Sequence, residues 1–250
     1  MKNKINILLE ELFDKYTLEK RTSVMKDLIP ILWFGDVEAY GRSPKKIITV
    51  SLNPSNNEFG NLAKGINNTT LYRFPDYVGT IDSLKLAYDN YFKKDKNPYN
   101  AWFKASFGSV LQSFSASHYE GNINTAIHTD IAIPYATNPT WTGLTREDKE
   151  YFEPIGQKIW HDLVTILEPD LILISASKDF QNKITFPKIY DSWQVILEKE
   201  KAPVLYNQVN INDNVTDVIF QTQGRKPFLN MNKDEKLNLS NILEKINEKP

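Results

Sequence analysis

The feature that most constrains the fold of this chain is a series of short apolar runs, each bounded by turn-forming or charged residues. Five such runs, rich in Val, Ile and Leu, predict buried strands at residues 45–52, 125–133, 170–176, 203–209 and 215–222. The first run leads into Asn53-Pro54 and the second is closed by Pro134. Because proline cannot continue a central strand, both runs must end in loops.

Amphipathic helical patterns alternate with these strands. Apolar residues recur at helical spacing over residues 5–16, 155–167 and 239–246. Buried strands that alternate with such helices predict an α/β fold, a three-layer α/β/α sandwich with a central, mostly parallel sheet. We expect a single domain over residues 1–250, with an N-terminal helix and a long polar loop insertion near 53–80.

The composition removes several classes of site. The 250 residues include no cysteine and three histidines, so disulfides, thiolate metal sites and cysteine nucleophiles are excluded. We predict no cofactor and no metal. The 30 basic and 31 acidic residues give a formal charge of −1. The surface as a whole is therefore not a binder of polyanions, although the charge is compatible with a local basic groove.

The sequence also bears on location. No run approaches the roughly 20 apolar residues that a membrane helix needs, so we expect no membrane partner. The N-terminal stretch carries acidic residues within its apolar pattern, unlike the apolar core of a signal peptide. We therefore predict a cytoplasmic protein, and we expect a monomer.

Four polar clusters are candidates for a functional site. They are residues 52–55, 99–103, 128–130 and 224–228. In parallel sheets, ligands bind beyond the carboxyl ends of the strands, where the first, the third and the last of these clusters lie. The residues alone leave a structural interpretation open: Asn53-Pro54 as an ordinary turn, His128 as a core histidine and Asp130 as a cap for a neighbouring loop.

Taken together, these clusters resemble the uracil-DNA glycosylase superfamily, and in particular an uncharacterised bacterial branch related to its mismatch-specific and single-strand-selective members. The resemblance spans about residues 30–230. It rests on the runs WFGD (33–36), ITVSLNPSNNEF (48–59), AIHTDIAIPYATNPTW (126–141) and GRKPF (224–228).

The resemblance implies catalytic roles for Asn53, Asp130 and Lys226. Asn53 matches the family residue that positions the hydrolytic water. Asp130 stands where the family has an asparagine that reads the Watson–Crick edge of uracil, and Lys226 stands near the position of a histidine that stabilises charge on the base. An ionised carboxylate only accepts hydrogen bonds, whereas uracil presents an N3–H donor beside the O4 acceptor. Asp130 therefore suits an edge with adjacent donors, or acts as the neutral acid.

The resemblance also predicts the rest of a DNA-binding site. The residues expected to bind the substrate base are Leu52, Pro54, Ser55, Phe59, Phe74 and His128, with Phe59 or Phe74 as the ring that stacks on it. Lys64, Arg73 and Arg225, on the same rim, are predicted to contact DNA phosphates.

The predicted function is hydrolysis of the N-glycosidic bond of a uracil-like or damaged base that is flipped out of DNA into a pocket. A second possibility is a protein that binds a modified base or nucleotide in the same pocket without cleaving it. A hydrolase of small nucleosides, or an α/β protein in which these motifs are only structural turns, also remains open.

Overall fold

The computed structural model describes residues 2–26, 28–54, 74–93, 100–200, 202–222 and 227–248. Within these ranges the protein is a mixed α/β structure with a central seven-stranded sheet in the order β2-β3-β1-β4-β7-β6-β5. The strands are β1 (Ile47–Ser51), β2 (Ala116–Ser117), β3 (Asn124–Asp130), β4 (Leu171–Ala176), β5 (Gln194–Leu197), β6 (Val204–Ile211) and β7 (Asn214–Thr222).

Parallel pairing dominates the sheet, as predicted. Strand β4 pairs in parallel with both β1 and β7, and β2 pairs in parallel with β3. Every residue of β1 and β4 is buried, which explains why both read as continuous apolar runs rather than alternating ones.

The last two strands depart from this parallel pattern. Strand β6 runs antiparallel to both β5 and β7. A two-residue turn at Asn212 and Asp213, with φ angles of 49° and 66°, joins β6 to β7. Because both turn residues have positive φ, the turn matches the right-handed twist of a hairpin.

The helices are α1 (Lys2–Leu18), α2 (Val37–Arg42), α3 (Ile81–Asp89), α4 (Asn100–Phe103), α5 (Ser109–Ser113), α6 (Arg146–Leu167), α7 (Lys233–Leu237) and α8 (Leu239–Asn247). The predicted N-terminal and C-terminal helices correspond to α1 and α8. Helix α6 begins nine residues earlier than its apolar pattern indicates, since its first turns are charged and largely exposed.

The chain divides into two compact units, each built from three segments. The first comprises Met1–Asp36, Ser51–Pro98 and His128–Leu167, and the second comprises Val37–Val50, Tyr99–Ile127 and Glu168–Pro250. The prediction of a single domain over the whole chain stays a prediction.

Each unit has its own apolar interior. In the first unit, helix α1 contacts helix α6. Leu9 and Leu12 of α1 and Ile159 and Leu163 of α6 are buried. In the second, apolar side chains of β1, β4, β6, β7, α5 and α8 form one buried cluster. Burial of this extent is the main source of stability for either unit.

None of the helices in the described ranges combines the length and the apolar character needed to cross a membrane.

Candidate functional site

Two of the polar clusters meet at one edge, just beyond the ends of β1 and β3. The N–H of Ile131 donates to the carbonyl of Ser51 at 2.9 Å, and the N–H of Ala132 donates to the carbonyl of Leu52 at 2.8 Å. The chain that follows Asp130 therefore runs directly alongside the chain that leads into Asn53. The structure thus brings the predicted residues Leu52, Asn53 and Asp130 together.

The amide of Asn53 is half-buried and tied to the loop at 134–141. Its Nδ2 group donates to the Oγ1 atom of Thr137 at 3.0 Å and to the carbonyl of Tyr135 at 3.3 Å. Its Oδ1 atom accepts from the N–H of Trp141 at 3.2 Å. Because an amide has two hydrogens and two acceptor positions, one acceptor position on Oδ1 is not used by these three bonds.

The loop that Asn53 binds is itself fixed by the segment between α1 and α2. The carbonyl of Pro134 accepts from the N–H of Ile31 at 2.8 Å, and the N–H of Asn138 donates to the carbonyl of Ser23 at 2.9 Å. A side chain that is held by a fixed loop keeps its orientation, which is the condition that a preorganised site needs.

His128 and Asp130 form a buried pair at the end of β3. The side chain of each is 3% exposed, and the Nε2 atom of His128 lies 3.8 Å from the Oδ1 atom of Asp130. This separation allows an ion pair when the imidazole is protonated, but it is too long for a hydrogen bond. A carboxylate buried to this degree is costly without compensation, which is a common property of functional groups.

The imidazole of His128 packs against an aromatic residue from the N-terminal segment. Its ring centroid lies 5.6 Å from that of Phe34, and the backbones of the two residues exchange hydrogen bonds of 2.8 and 2.9 Å. This isolated bridge fixes the end of β3 from one side.

Helix α6 supports the same strand end from another direction. The indole N–H of Trp160 donates to the Oγ1 atom of Thr129 at 3.2 Å, and the amide of Gln157 donates to the carbonyl of Ile131 at 3.3 Å. At Gly156 the helix backbone approaches so closely that a Cβ atom there would lie 1.7 Å from the carbonyl oxygen of Ala132. The residues on both sides of Asp130 are therefore held in place.

The predicted stacking residue Phe74 is fully buried. Its ring contacts those of Phe34, Tyr88 and Tyr91, at centroid distances of 6.3, 6.4 and 5.3 Å. A ring that stacks on a base needs a free face, so Phe74 could do so only if this cluster opened. Leu52 and Pro54 are also buried.

Six of the predicted site residues lie outside the described ranges. They are Ser55, Phe59, Lys64, Arg73, Arg225 and Lys226. Their assignments as catalytic, substrate-binding or phosphate-binding residues stay predictions. The remaining polar cluster, at 99–103, contributes α4 to the second unit, where Phe103 is buried and its ring contacts that of His118.

Two residues of this edge were not singled out by the sequence analysis. Thr137 supplies the hydroxyl that Asn53 binds, and Gly156 allows α6 to approach the strand end. Thr137 lies within the run at 134–141 that follows Asp130, but nothing in the sequence selects it as the partner of Asn53.

Among the described residues, no group of three or more histidine, aspartate or glutamate side chains is placed to hold a metal ion. Comparison of the chain with protein-family models, with curated proteins and with solved structures finds no match. The assignment of a function therefore depends on the residues and geometry of the edge itself.

Proposed function

We propose that the protein is a uracil-DNA glycosylase-like hydrolase that takes a flipped-out base at the edge formed by residues 52–54 and 128–130. The single observation that carries this proposal is the direct pairing of Ser51 and Leu52 with Ile131 and Ala132. Asn53 lies just past the end of β1 and Asp130 is the last residue of β3, so both lie at the carboxyl ends of strands, where an α/β sheet binds its ligands.

In this proposal Asn53 holds the attacking water. One acceptor position on its Oδ1 atom is not used by the bonds to the 134–141 loop, so it can accept a hydrogen from a water molecule. The loop bonds fix the direction of that position before any substrate arrives, which favours catalysis. A neutral amide orients a water but is a poor base, so the reaction should be slow and favour good leaving groups.

Asp130 reads the edge of the base, and its protonation state decides which base it accepts. As a carboxylate balanced by protonated His128, it accepts two hydrogen bonds and suits an amino group beside a protonated ring nitrogen. As a neutral acid it donates and accepts, which suits uracil.

The remaining roles belong to residues outside the described ranges. Lys226 supplies positive charge to the leaving base, and Lys64, Arg73 and Arg225 contact DNA phosphates. Because Phe74 is enclosed by other rings, Phe59 is the better candidate for stacking. If the basic residues act in this way, DNA affinity should fall steeply as the salt concentration rises.

One observation favours the second function, binding of a modified base without cleavage. Asn53 makes three hydrogen bonds to the 134–141 loop. These bonds give its amide a structural role in forming a binding pocket, and that role does not require it to orient a water molecule. The two functions share one edge and one ligand class, and they differ in whether the glycosidic bond breaks.

The experiment that tests the proposal uses single- and double-stranded oligonucleotides that carry uracil, hypoxanthine, xanthine or a modified cytosine. Alkaline strand cleavage detects abasic sites, and electrophoretic shift measures binding. Release of at least one base, with a changed preference in the Asp130→Asn variant, supports the glycosylase. Binding without release supports the second function, and neither binding nor release contradicts both.

A further inference from the structure

The hydroxyl of Ser51 is a buried polar group at the edge that the proposed function uses. Ser51 is the last residue of β1 and is 7% exposed. Its Oγ atom is buried, and it has no hydrogen-bond partner among the described residues. A buried hydroxyl without a partner costs free energy. Such a group at a candidate site is explained when a bound ligand supplies the partner.

Ser51 and Asp130 lie side by side on one face of the sheet. Ile47 of β1 and Ala126 of β3 belong to one buried cluster, so their side chains share a face. Side chains two residues apart on a strand point to the same side, and this alternation carries the shared face to Ser51 on β1 and to Asp130 on β3. The hydrogen bond from the N–H of Ile131 to the carbonyl of Ser51, at 2.9 Å, holds the two strand ends together.

The carboxylate of Asp130 is buried beside this hydroxyl without bonding to it. Its side chain is 3% exposed, and the Nε2 atom of His128 lies 3.8 Å from its Oδ1 atom, which is too long for a hydrogen bond. The Ser51 hydroxyl does not bond to the carboxylate either, because its Oγ atom has no partner among the described residues. The strand ends therefore present a donor and an acceptor next to each other, and neither group satisfies the other.

A hydroxyl beside a carboxylate is complementary to a lactam, a ring N–H next to a carbonyl group. An ionised carboxylate only accepts hydrogen bonds, whereas a hydroxyl can donate one. Uracil presents N3–H beside O4, and hypoxanthine presents N1–H beside O6. The carboxylate of Asp130 can accept from the ring N–H while the hydroxyl of Ser51 donates to the carbonyl oxygen. A uracil edge can thus be recognised without protonation of Asp130.

We propose that Ser51 reads the base together with ionised Asp130, and that the two select a lactam base such as uracil or hypoxanthine. The hydroxyl of Ser51 donates to the exocyclic oxygen of the base. Negative charge spreads onto that oxygen as the glycosidic bond breaks, so a donor placed there also favours cleavage. This inference rests on the proposed function, since it takes the edge formed by residues 52–54 and 128–130 as the place where the base binds.

Binding of free bases tests the role of Ser51 separately from cleavage. The probes are uracil and 4-thiouracil, in which sulfur, a weaker acceptor, replaces O4. Binding is followed at neutral pH by the amide chemical shifts of Leu52, Ile131 and Ala132 in the full-length protein. The wild type should bind uracil with a Kd of about 1 mM or tighter, and it should bind 4-thiouracil about fivefold more weakly.

The Ser51→Ala variant removes the hydroxyl with little change of shape. It should bind uracil about fivefold more weakly, at the level of 4-thiouracil, whose own binding should change little. Its urea midpoint should equal or exceed that of the wild type, because the hydroxyl has no partner among the described residues. A serine with a purely structural role would instead lower the midpoint. Ser192→Ala, at an exposed position, is the control and should bind both probes as the wild type does.

Three results would overturn the inference. They are the absence of saturable shifts at the three reporter amides, equal binding of uracil to wild type and Ser51→Ala, and a urea midpoint of Ser51→Ala below that of the wild type. The oligonucleotide assay separates the inference from the proposed function. Equal rates of uracil release by wild type and Ser51→Ala would support the glycosylase and overturn the role of Ser51. Uracil binding that depends on Ser51, without release, would support that role and favour the function without cleavage.

Discussion

The Nδ2 group of Asn53 donates a hydrogen bond to the Oγ1 atom of Thr137 at 3.0 Å. This bond joins the turn after β1 to a loop 84 residues further along the chain, where Thr137 is fully buried. The residue proposed to hold the attacking water is therefore also a structural link. Any test of its chemistry must separate the two roles, and Thr137 offers the means to do so.

The first prediction concerns stability. Thr137→Val removes one hydrogen bond with little change of shape and should lower the free energy of unfolding by about 1 kcal/mol. Asn53→Ala removes three bonds and should cost about 2–3 kcal/mol. Urea denaturation measures both. Asn241→Ala, at an exposed position on α8, should change little. Equal values for Asn53→Ala and the control would show that the link contributes nothing.

The second prediction concerns the contact of α6 with the chain after β3. Gly156→Ala would place a Cβ atom 1.7 Å from the carbonyl oxygen of Ala132. Because the obstacle is backbone, the variant should lose about 3 kcal/mol or more, or fail to fold.

Gly108→Ala is the matched control for that variant. Gly108 has helical angles, and a Cβ atom there would meet its nearest neighbour at 3.9 Å. This substitution should be neutral or stabilise by up to about 1 kcal/mol. A folded Gly156→Ala protein with unchanged urea midpoint would contradict the close approach.

The third prediction concerns acid stability. Arg21 contacts Asp148 at 2.8 Å and Glu147 at 3.2 Å in the first turn of α6, and the hydrogen bond from Arg21 holds the pKa of Asp148 below its ordinary value of 3.8. A lowered carboxyl pKa stabilises the fold above that value and ceases to do so as the pH falls through it.

Arg21→Met should therefore lower Tm by about 1–3 °C at neutral pH, and the difference from wild type should shrink below about pH 4. The Arg21 guanidinium also stacks on the ring of Tyr151, 4.2 Å from its centroid. This contact is not affected by pH in this range, so it accounts for the Tm difference that remains at low pH. Lys20→Met is the control. A difference that stays constant from pH 7 to pH 3 would contradict the role of Asp148.

The fourth prediction concerns His161 on α6. Burial lowers its pKa from the ordinary 6.5, and its Nδ1 atom lies 2.7 Å from the carbonyl of Gln157. The unfolded chain therefore takes up a proton at a pH where the folded chain does not, and stability falls as the pH drops through 6.5.

His161→Gln removes this titration. Its stability should fall less than that of the wild type between pH 7 and pH 5, as measured by urea midpoints at each pH. Parallel curves for the two proteins would show that His161 is not the source of the dependence.

The sequence predicts five strands, which correspond to β1, β3, β4, β6 and β7, but it does not predict the antiparallel direction of β6. Buried runs of β-branched residues predict β1, β4 and β7, and the parallel pairing of β1 with β4 follows from the helices between them. The parallel pairing of β4 with β7 does not follow in this way, because the chain between these two strands passes through β5 and β6 and contains no α-helix among its described residues. The β6–β7 hairpin was missed because apolar runs carry no direction. The Asn212-Asp213 pair was the available signal, since these residue types tolerate positive φ.

The end of β3 shows a second limit. The apolar run was expected to be a strand as far as residue 133, but β3 ends at Asp130 and the buried chain continues without strand structure through Ala136. Its N–H groups at Ile131 and Ala132 find carbonyl partners outside a regular ladder. A pattern of apolar residues cannot distinguish a buried strand from a buried loop.

The candidate site was partly predictable for a related reason. The meeting of Asn53 with the end of β3 follows from sheet topology. The partners of the Asn53 amide do not follow, because they lie 82 to 88 residues away and depend on a loop conformation that local sequence does not encode.

The measurement that tests the central claim most directly is single-turnover formation of abasic sites by wild type, Thr137→Val and Asn53→Ala, each at a concentration where it is folded. The account predicts that wild type and Thr137→Val release the same base, with Thr137→Val slower by only about threefold because the bonds to Tyr135 and Trp141 still orient Asn53. Asn53→Ala should be slower by about 100-fold, as for the loss of one preorganised catalytic group. Base release by Asn53→Ala at the wild-type rate, or no release by the wild-type protein from any of the four bases, would contradict it.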